Sequence, residues 1–297
     1  MNDINPLNVN FLSDYQINSI NNKSLKEDLD ELLTNISFNK EKEILKTCFS
    51  LIDLTSLNTT DSESHIKHFV EKVNELKNNY KEIGNVAAVC VYPSFVKTAK
   101  DHIDSKDINI ASVSAGFPHS QTMMEIKVAE TMLCIHDGAD EIDIVLNIGN
   151  FLDGKYVDVA EEIREIKESI HEKKLKVILE TGILETAENI YKSSIIAMEA
   201  GADFIKTSTG KLKPAATPFA AYVMCKAILD FYKKRKKMVG IKVAGGISSS
   251  ADALLYYHIV YNTLGKKWIN KDYFRIGASR LANAILTDYY NKEIKYF

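Results

Sequence analysis

From about residue 50 onward, the chain alternates short apolar runs with longer stretches whose apolar residues recur at helical spacing. Short apolar runs are typical of strands buried on both faces, and the longer pattern is typical of amphipathic helices. The runs are "SLIDLTSL" near 50, "NVAAVCVYP" near 85, "INIASVSAGFP" near 108, "EIDIVLNIG" near 141, "KVILETGIL" near 176, "DFIKTSTG" near 203, "GIKVAGGI" near 240 and "YFRIGAS" near 273. The alternation predicts an α/β fold built from strand–helix units.

Two features of the runs favour a closed (β/α)8 barrel, or TIM barrel, over a doubly wound open sheet. There are eight of them, and each ends in polar or glycine residues just past its carboxyl end. In a barrel all eight of these loops face one site, whereas an open sheet has its site at a single switch point. We therefore expect a barrel.

The residues before the barrel pattern predict a helical extension. Residues 1–23 are Asn-rich and weakly patterned, whereas apolar residues between Leu25 and Phe49 predict two short amphipathic helices. We expect residues 1–49 to pack on the barrel as an extension, and residues 50–297 to form the barrel with a short C-terminal tail. A capping box at "TDSE", which begins at Thr60, predicts a helix start after the first strand.

Composition excludes several classes of function. The formal net charge of −3 and the lack of a long basic stripe argue against nucleic acid as a partner. No apolar run reaches the roughly 18 residues of a membrane helix, and the first twenty residues lack a secretory signal. The cysteines show no CxxC spacing: Cys48, Cys90, Cys134 and Cys225. We expect a cytoplasmic protein without disulfides that binds neither nucleic acid nor membrane.

Three ionisable residues interrupt the apolar runs. Asp143 lies between Ile142 and Ile144 on the fourth run, Lys206 follows an apolar pair on the sixth, and Lys242 lies between apolar residues on the seventh. Successive residues of a strand face opposite sides, so these three side chains are expected to point into the barrel. The adjacent sixth and seventh strands would then bring the two lysines close together.

A buried lysine beside another lysine has a lowered pKa, because burial and like charge both disfavour the ammonium. The neutral amine is a nucleophile that forms a Schiff base with a carbonyl substrate. For an isolated buried lysine, an ion pair with a carboxylate is the preferred interpretation. Two lysines on adjacent strands, with Asp143 facing them, favour the catalytic interpretation.

The loops after the last three strands predict a phosphate site. They read "TSTGK", "VAGGI" and "IGASR", and glycine lets backbone amides approach an anion. Barrels often bind phosphate at the loops after strands seven and eight. Glycine-bearing loops after three consecutive strands, next to paired lysines, are more specific than a single Gly-Gly turn.

These motifs resemble, in order and spacing, those of the deoxyribose-phosphate aldolase family, which are class I aldolases with a barrel fold. The resemblance lies in "LIDLTSLN", "NVAAVCVYPSFV", "EIDIVLNIG", "KVILETGIL", "GADFIKTSTG", "VGIKVAGGI" and "FRIGAS". It covers about residues 50–285, and "KTSTG" is its most specific part.

The resemblance implies roles for matching residues. It makes Lys206 the Schiff-base lysine, Lys242 the residue that depresses its pKa and shuttles protons, and Asp143 the proton relay. Implied substrate contacts at the sugar end are Asp53, Thr55, Cys90 and Thr209. Implied phosphate contacts are Gly210, Lys211, Gly245, Gly246, Gly277 and Ser279.

The implied activity is reversible cleavage of 2-deoxy-D-ribose 5-phosphate to acetaldehyde and D-glyceraldehyde 3-phosphate, in deoxyribose catabolism. No metal or cofactor is expected, because a zinc-dependent mechanism needs a histidine cluster at strand ends and the histidines are scattered. Partners are phosphosugar and aldehyde substrates, and the chain is expected to be a monomer or a homodimer. Two alternatives stay open: another Schiff-base barrel such as a transaldolase-like enzyme, and a non-catalytic phosphosugar-binding barrel.

Supporting roles at the site or in the core are expected for several further residues. Arg280 and Ser248 depart from the pattern of many relatives at the phosphate loops, and Tyr296 in the tail is a weak candidate for entering the site. Glu180 is expected to support the lysines by accepting a hydrogen bond from them. Three methionines are expected to fill the core: Met123, Met124 and Met132.

Overall fold

The fold is a closed barrel of eight parallel strands. The computed structural model describes residues 9–34 and 40–297. The strands pair in chain order, and pairing of the first with the last closes the barrel. They are β1 (Ile52–Thr55), β2 (Ala88–Val91), β3 (Asn109–Val113), β4 (Glu141–Val145), β5 (Lys174–Ile178), β6 (Phe204–Lys206), β7 (Gly240–Ala244) and β8 (Phe274–Ala278). The predicted barrel is confirmed, and the open sheet is excluded.

Helices cover the outside of the barrel. They are α1 (Asn22–Thr34), α2 (Lys42–Ser50), α3 (Glu63–Asn79), α4 (Val96–His102), α5 (Met124–His136), α6 (Ile148–Leu152), α7 (Tyr156–Ser169), α8 (Thr181–Leu184), α9 (Ala187–Glu199), α10 (Pro218–Arg235), α11 (Ser250–Leu264) and α12 (Leu281–Tyr290). Short 3₁₀ helices span Val9–Asp14, Ile17–Ser19, Pro93–Phe95 and Lys266–Trp268. Helices between consecutive strands are what parallel pairing requires.

The start of α3 shows how local side chains fix a helix end. Ser62 caps the helix, because its hydroxyl accepts a hydrogen bond from the backbone N–H of His65 at 3.3 Å. The predicted capping box began at Thr60 and is wrong by two residues. Asp61 accepts a hydrogen bond from the backbone N–H of Asn58 at 3.0 Å, which keeps the preceding residues in a turn.

Among the described residues, two α-helices precede β1, as the periodicity between residues 25 and 49 predicted. Helix α1 contacts α9, α10 and α11, and α2 contacts α11 and α12. Leu25 and Leu29 of α1, and Leu45 and Phe49 of α2, join the hydrophobic cluster that also holds the outer faces of the strands. The division into residues 1–49 and 50–297 stays a prediction, and residues 1–8 and 35–39 lie outside the described residues.

The strands are aliphatic on their outer faces and charged inside the barrel. Ile241 and Val243 of β7 pack in the hydrophobic core under the helices, and Lys242 between them faces inward. Its Nζ lies 2.6 Å from Oδ2 of Asp53 on β1, a strand that β8 separates from β7. Only side chains that point into the barrel make such a contact, so the predicted inward orientation is observed.

Helix α5 corrects the expectation for the methionines. Met123, just before the helix, is 73% exposed and Met132 is 53% exposed, whereas Met124 is partly buried against the core. The helix instead turns Lys127 and Thr131 toward the barrel, together with a buried cysteine. The expectation that all three methionines fill the core is therefore wrong for Met123 and Met132 and holds in part for Met124.

The C-terminal tail is docked on the side of the barrel. The Tyr296 hydroxyl donates a hydrogen bond to the backbone carbonyl of Lys72 on α3 at 2.8 Å. Its backbone N–H donates to Oδ1 of Asn283 on α12 at 2.9 Å. Tyr296 therefore lies against two helices, and it does not line the cavity described below.

The remaining sequence expectations concern cysteines and membranes. All four cysteines of the sequence are free and buried, which agrees with the absence of a disulfide framework. Over residues 9–34 and 40–297, no helix has both the length and the apolar character needed to cross a membrane.

Candidate active site

Two lysines share one carboxylate oxygen inside the barrel. The Nζ atoms of Lys206 and Lys242 each lie 2.8 Å from Oδ2 of Asp143. Lys206 and Lys242 are register partners on β6 and β7, and Asp143 reaches them from β4. The predicted proximity of these three side chains is confirmed by the geometry.

Three further charged residues belong to the same cluster, and sequence reasoning missed them. Lys176 of β5 lies 2.8 Å from Oδ1 of Asp143 and 2.5 Å from Oε2 of Glu141. Arg275 of β8 binds Glu141 through both terminal nitrogens, at 2.6 and 3.1 Å. The signal was present, because Lys176 and Arg275 each stand between apolar strand residues, as Lys242 does.

Asp53 connects the two parts of the cluster. Its Oδ2 lies 2.6 Å from Nζ of Lys242 and 3.6 Å from Nζ of Lys176, and its Oδ1 lies 2.5 Å from Arg275. The side chain is fully buried and does not line the cavity. The resemblance implied that Asp53 lies at the sugar end of the substrate, whereas the structure places it beneath the lysines.

The surroundings shift the pKa values of Lys206 and Lys242 in opposite directions. Burial lowers the pKa of Lys206, and the charge of Lys242 lowers it further against the opposing attraction of Asp143. Burial also disfavours the charge on Lys242, but attraction to Asp143 and then Asp53 outweighs it and raises the pKa of Lys242. Of the two, Lys206 is the amine that loses its proton more easily.

The carboxylates of the cluster are held in their charged form. Burial favours protonation of Asp143, but Lys176, Lys206 and Lys242 outweigh it and hold the pKa of this carboxyl well below its usual range. For Glu141, attraction to Lys176 and Arg275 outweighs burial and lowers the pKa to about 2. The cluster therefore contains ionised carboxylates throughout the neutral pH range.

A cavity of about 390 Å³ opens above this cluster, at the carboxyl ends of the strands. Its volume is in the range of small-molecule sites. Its lining comprises Thr55, Leu57, Asn58, Lys206, Thr209, Gly210, Lys211, Lys242, Ala244, Gly245, Gly246, Ile247, Ser248, Gly277, Ala278, Ser279 and Arg280. Lys206 and Lys242 reach it from the buried cluster, so an amine is presented to whatever binds there.

The part of the cavity formed by the loops after β6, β7 and β8 combines glycine with basic side chains. Gly245 has φ of +90°, and a Cβ there would lie 2.6 Å from Cβ of Ala215, so glycine is required. Lys211 and Arg280 line the same cavity, and Lys211 donates a hydrogen bond to the carbonyl of Leu57. Backbone amides of these loops together with Lys211 in the loop after β6 and Arg280 at the start of α12 are suited to an anion.

The expected substrate and phosphate contacts line this cavity, with two exceptions. Asp53 lies beneath it, and Cys90 is fully buried in a small apolar cluster with Leu57 and Val113. Burial raises the pKa of the Cys90 thiol. Leu57, Asn58, Ala244, Ile247 and Ala278 are lining residues that the sequence did not indicate.

Glu180 supports the loop after β6 instead of the lysines. Its carboxylate accepts hydrogen bonds from the Thr209 hydroxyl at 2.5 Å and from the Thr209 backbone N–H at 3.2 Å. Burial raises the pKa of Glu180. The expected hydrogen bond from the lysines to Glu180 is wrong, because Thr209 occupies its oxygens.

Within residues 9–34 and 40–297, no group of three or more His, Cys, Asp and Glu side chains is arranged to hold a metal ion. The carboxylates of the cluster are instead engaged with lysine and arginine.

The comparisons with known proteins identify the family of the chain. The profile of the DeoC/LacD family of aldolases matches residues 47–257. A deoxyribose-phosphate aldolase of Homo sapiens is 41% identical over 252 residues, which cover 82% of this chain and 79% of that protein. One of Bos taurus is 42% identical over 240 residues, covering 77% and 76%. A solved structure titled "QR15, an Aldolase" is 32% identical with a TM-score of 0.67, covering 82% of this chain and 98% of that one.

A closed barrel with these relatives defines an enzyme of the aldolase class. The family match includes the three residues at the centre of the site, Asp143, Lys206 and Lys242. The chain belongs to the DeoC/LacD family of aldolases.

Proposed function

We propose that this protein catalyses the reversible cleavage of 2-deoxy-D-ribose 5-phosphate to acetaldehyde and D-glyceraldehyde 3-phosphate, through a Schiff base on Lys206. The observation that carries the proposal is a buried amine with a lowered pKa, 2.8 Å from a carboxylate and open to a cavity. The names of the relatives support the choice of substrate.

Binding of the phosphate would orient the reacting carbons. The glycine loops, Lys211 and Arg280 are suited to the phosphate, while Lys206 lies at the floor of the same cavity. Energy from binding the remote phosphate is thereby used to place the aldehyde carbon of the open-chain sugar next to the Lys206 amine.

In the first stage, the neutral amine of Lys206 attacks the aldehyde carbon and gives a carbinolamine. Loss of the hydroxyl as water gives an iminium, for which the charged Lys242 beside the same carboxylate is positioned to supply the proton. The iminium then withdraws electrons from the neighbouring C2–C3 bond.

In the second stage, the C3 hydroxyl loses its proton and the C2–C3 bond breaks. Its electron pair moves into the iminium and forms an enamine, while the C3 fragment leaves as D-glyceraldehyde 3-phosphate. Lys242, which gave up its proton in the first stage, takes up the proton of the C3 hydroxyl through a water molecule, and we assign Asp143, which contacts Lys242 and stays charged, to relaying it. Protonation of the enamine and hydrolysis release acetaldehyde and restore the amine.

Reduction with borohydride tests the covalent step. Treatment with acetaldehyde or the deoxysugar phosphate is expected to trap an adduct on the peptide that contains Lys206, and Lys206→Arg is expected to abolish it. Lys211→Arg, which alters another lysine of the cavity, is the matched control and should still trap. An adduct on Lys242 would reverse the two roles.

The same experiment separates the alternatives. A transaldolase-like enzyme would be trapped by ketose phosphates and not by acetaldehyde, and a non-catalytic barrel would bind phosphosugar without any adduct. We also propose that the products enter deoxyribonucleotide and carbohydrate catabolism in the cytoplasm, and that the chain acts as a monomer or homodimer without a cofactor.

A further inference from the structure

The buried cluster contains more positive than negative groups. Its carboxylates are Asp53, Glu141 and Asp143, and its cations are Lys176, Lys206, Lys242 and Arg275. None of these side chains is more than 4% exposed. If every group were ionised, the barrel interior would hold one positive charge without a partner, which is strongly unfavourable in a buried site.

Two other ionisable groups near the cluster do not supply the missing negative charge. Cys90 on β2 stays a neutral thiol, because burial raises its pKa. Burial raises the pKa of Glu180, after β5, although Lys206 attracts its charge, and its oxygens accept hydrogen bonds from Thr209. Among the described residues, no lysine of the cluster forms an ion pair with it. The groups that act directly on Lys206 are thus Asp143, Lys242, Cys90 and Glu180. Asp53 contacts Lys242 and Lys176 contacts Asp143, while Glu141, Arg275 and the more exposed Asp272 lie behind them.

The contacts decide which cation gives up its proton. Arg275 remains charged at any ordinary pH. Lys176 lies within 3.6 Å of three carboxylates, and Lys242 within 2.8 Å of two. Among the carboxylates of the described residues, Asp143 alone forms an ion pair with Lys206. Of the two cluster lysines that line the cavity, Lys242 has a second carboxylate partner and Lys206 does not. Loss of its proton leaves three cations facing three carboxylates.

We propose that Arg275 and Glu141, which touch neither the cavity nor Lys206, are positioning residues that set the charge balance of the barrel interior and so keep the Lys206 amine uncharged. This inference rests on the proposed Schiff-base function of Lys206. Arg275 supplies a positive charge that cannot be lost by deprotonation. Glu141 pairs with Arg275, so the fully ionised cluster would have one more positive than negative charge.

Opposite changes of charge at this pair test the proposal. Arg275→Gln removes a cation, so Lys206 becomes the third cation and stays protonated to higher pH. The pH midpoints of kcat/KM and of borohydride trapping are expected to rise by about one unit, with about tenfold loss near neutral pH that is recovered in alkaline buffer. Glu141→Gln removes an anion and is expected to move both midpoints down.

The double variant Glu141→Gln/Arg275→Gln provides the decisive control, because it restores the count of charges while disturbing the packing most. Its midpoints are expected to return to within a few tenths of a unit of the wild-type values. Arg275→Lys, which keeps the charge, is expected to leave the midpoints in place. A purely structural role would instead lower kcat at every pH, with additive losses in the double variant.

The results distinguish failure of this inference from failure of the proposed function. Equal midpoints in wild type, Arg275→Gln and Glu141→Gln would overturn the inference while leaving the Schiff base intact. Absence of a Lys206 adduct in wild type would overturn the proposed function itself. If Arg275→Gln does not fold, the pH midpoints of Glu141→Gln alone test the proposal. A downward shift of these midpoints supports it, and an upward or absent shift refutes it.

Discussion

Lys206 and Lys242 compete for one oxygen, since both Nζ atoms lie 2.8 Å from Oδ2 of Asp143. A single carboxylate oxygen cannot fully neutralise two ammonium groups. Asp53 resolves the competition, because its Oδ2 lies 2.6 Å from Lys242 and it forms no ion pair with Lys206. The second carboxylate favours the charged form of Lys242 and leaves Lys206 the less strongly stabilised cation.

Lys242→Leu is expected to shift the activity profile toward alkaline pH. The substitution removes the like charge that helps to lower the pKa of Lys206, so that pKa rises. A rise of one unit corresponds to about tenfold less neutral amine near pH 7. The pH dependence of kcat/KM and of trapping measures the effect, with Lys242→Arg as the charge-preserving control. A profile that keeps its shape and position would refute the electrostatic role of Lys242.

Asp143→Asn is expected to impair both catalysis and folding. The change removes the carboxylate that contacts Lys176, Lys206 and Lys242, and it leaves buried cations without their partner. Breaking a buried pair in this way destabilises by about 3–5 kcal/mol, and loss of a proton relay lowers kcat by about 10²–10⁴-fold. Urea unfolding and steady-state kinetics measure the two effects. Near-normal kcat in a folded Asp143→Asn enzyme would exclude the relay role.

Gly245→Ala tests the phosphate loops. The new Cβ would lie 2.6 Å from Cβ of Ala215, and φ of +90° disfavours alanine, so the loop must move. We expect the KM for the phosphorylated sugar to rise about tenfold or more, with little change in the KM for unphosphorylated 2-deoxyribose. Gly246→Ala is the matched control, since its φ is +81° but its Cβ would meet nothing within 4 Å. Equal effects on both sugars would place the phosphate elsewhere.

The stability of the protein is expected to fall in acid because of the buried carboxylates. The pKa of Glu141 is lowered from 4.5 to about 2 in the folded state, so the folded protein binds fewer protons than the unfolded chain. The contribution of the charged Glu141 carboxylate to the free energy of unfolding is therefore complete above about pH 4.5, and it is lost as the pH falls toward about 2. Urea midpoints between pH 7 and pH 3 measure this loss. Glu141→Gln should flatten the dependence, and an unchanged slope would show that Glu141 is not the group responsible.

Alternation along the strands allowed part of the site to be predicted from sequence. A charged residue between two aliphatic residues, as at Lys242, must face away from the helices, and this logic located Asp143 and Lys206 as well. Lys176 and Arg275 stand between apolar strand residues in the same way and were overlooked, although the loop "IGASR" follows Arg275 directly.

Other features could not be predicted, because they depend on distances across the closed barrel. Asp53 and Lys242 stand on strands separated by β8, and nothing in their spacing along the chain reports a 2.6 Å contact. Likewise the hydrogen bonds from Thr209 that occupy Glu180 depend on the path of the loop after β6. Sequence patterns define which face a residue occupies, and tertiary packing defines its partner.

Lys206→Met and Lys176→Met are expected to differ in their effects on stability, although both remove a lysine from the same cluster. Burial lowers the pKa of Lys206, so its ammonium is costly in the folded protein, and removal of this side chain leaves three cations facing three carboxylates. We expect the free energy of unfolding of Lys206→Met at pH 7 to stay within about 1 kcal/mol of wild type or to increase, while activity is abolished. Lys176 contacts three carboxylates, and Lys176→Met should therefore be destabilised by about 3–5 kcal/mol. Chemical denaturation of both variants measures the difference, and comparable destabilisation by the two substitutions would contradict the view that Lys206 is retained for chemistry and Lys176 for the fold.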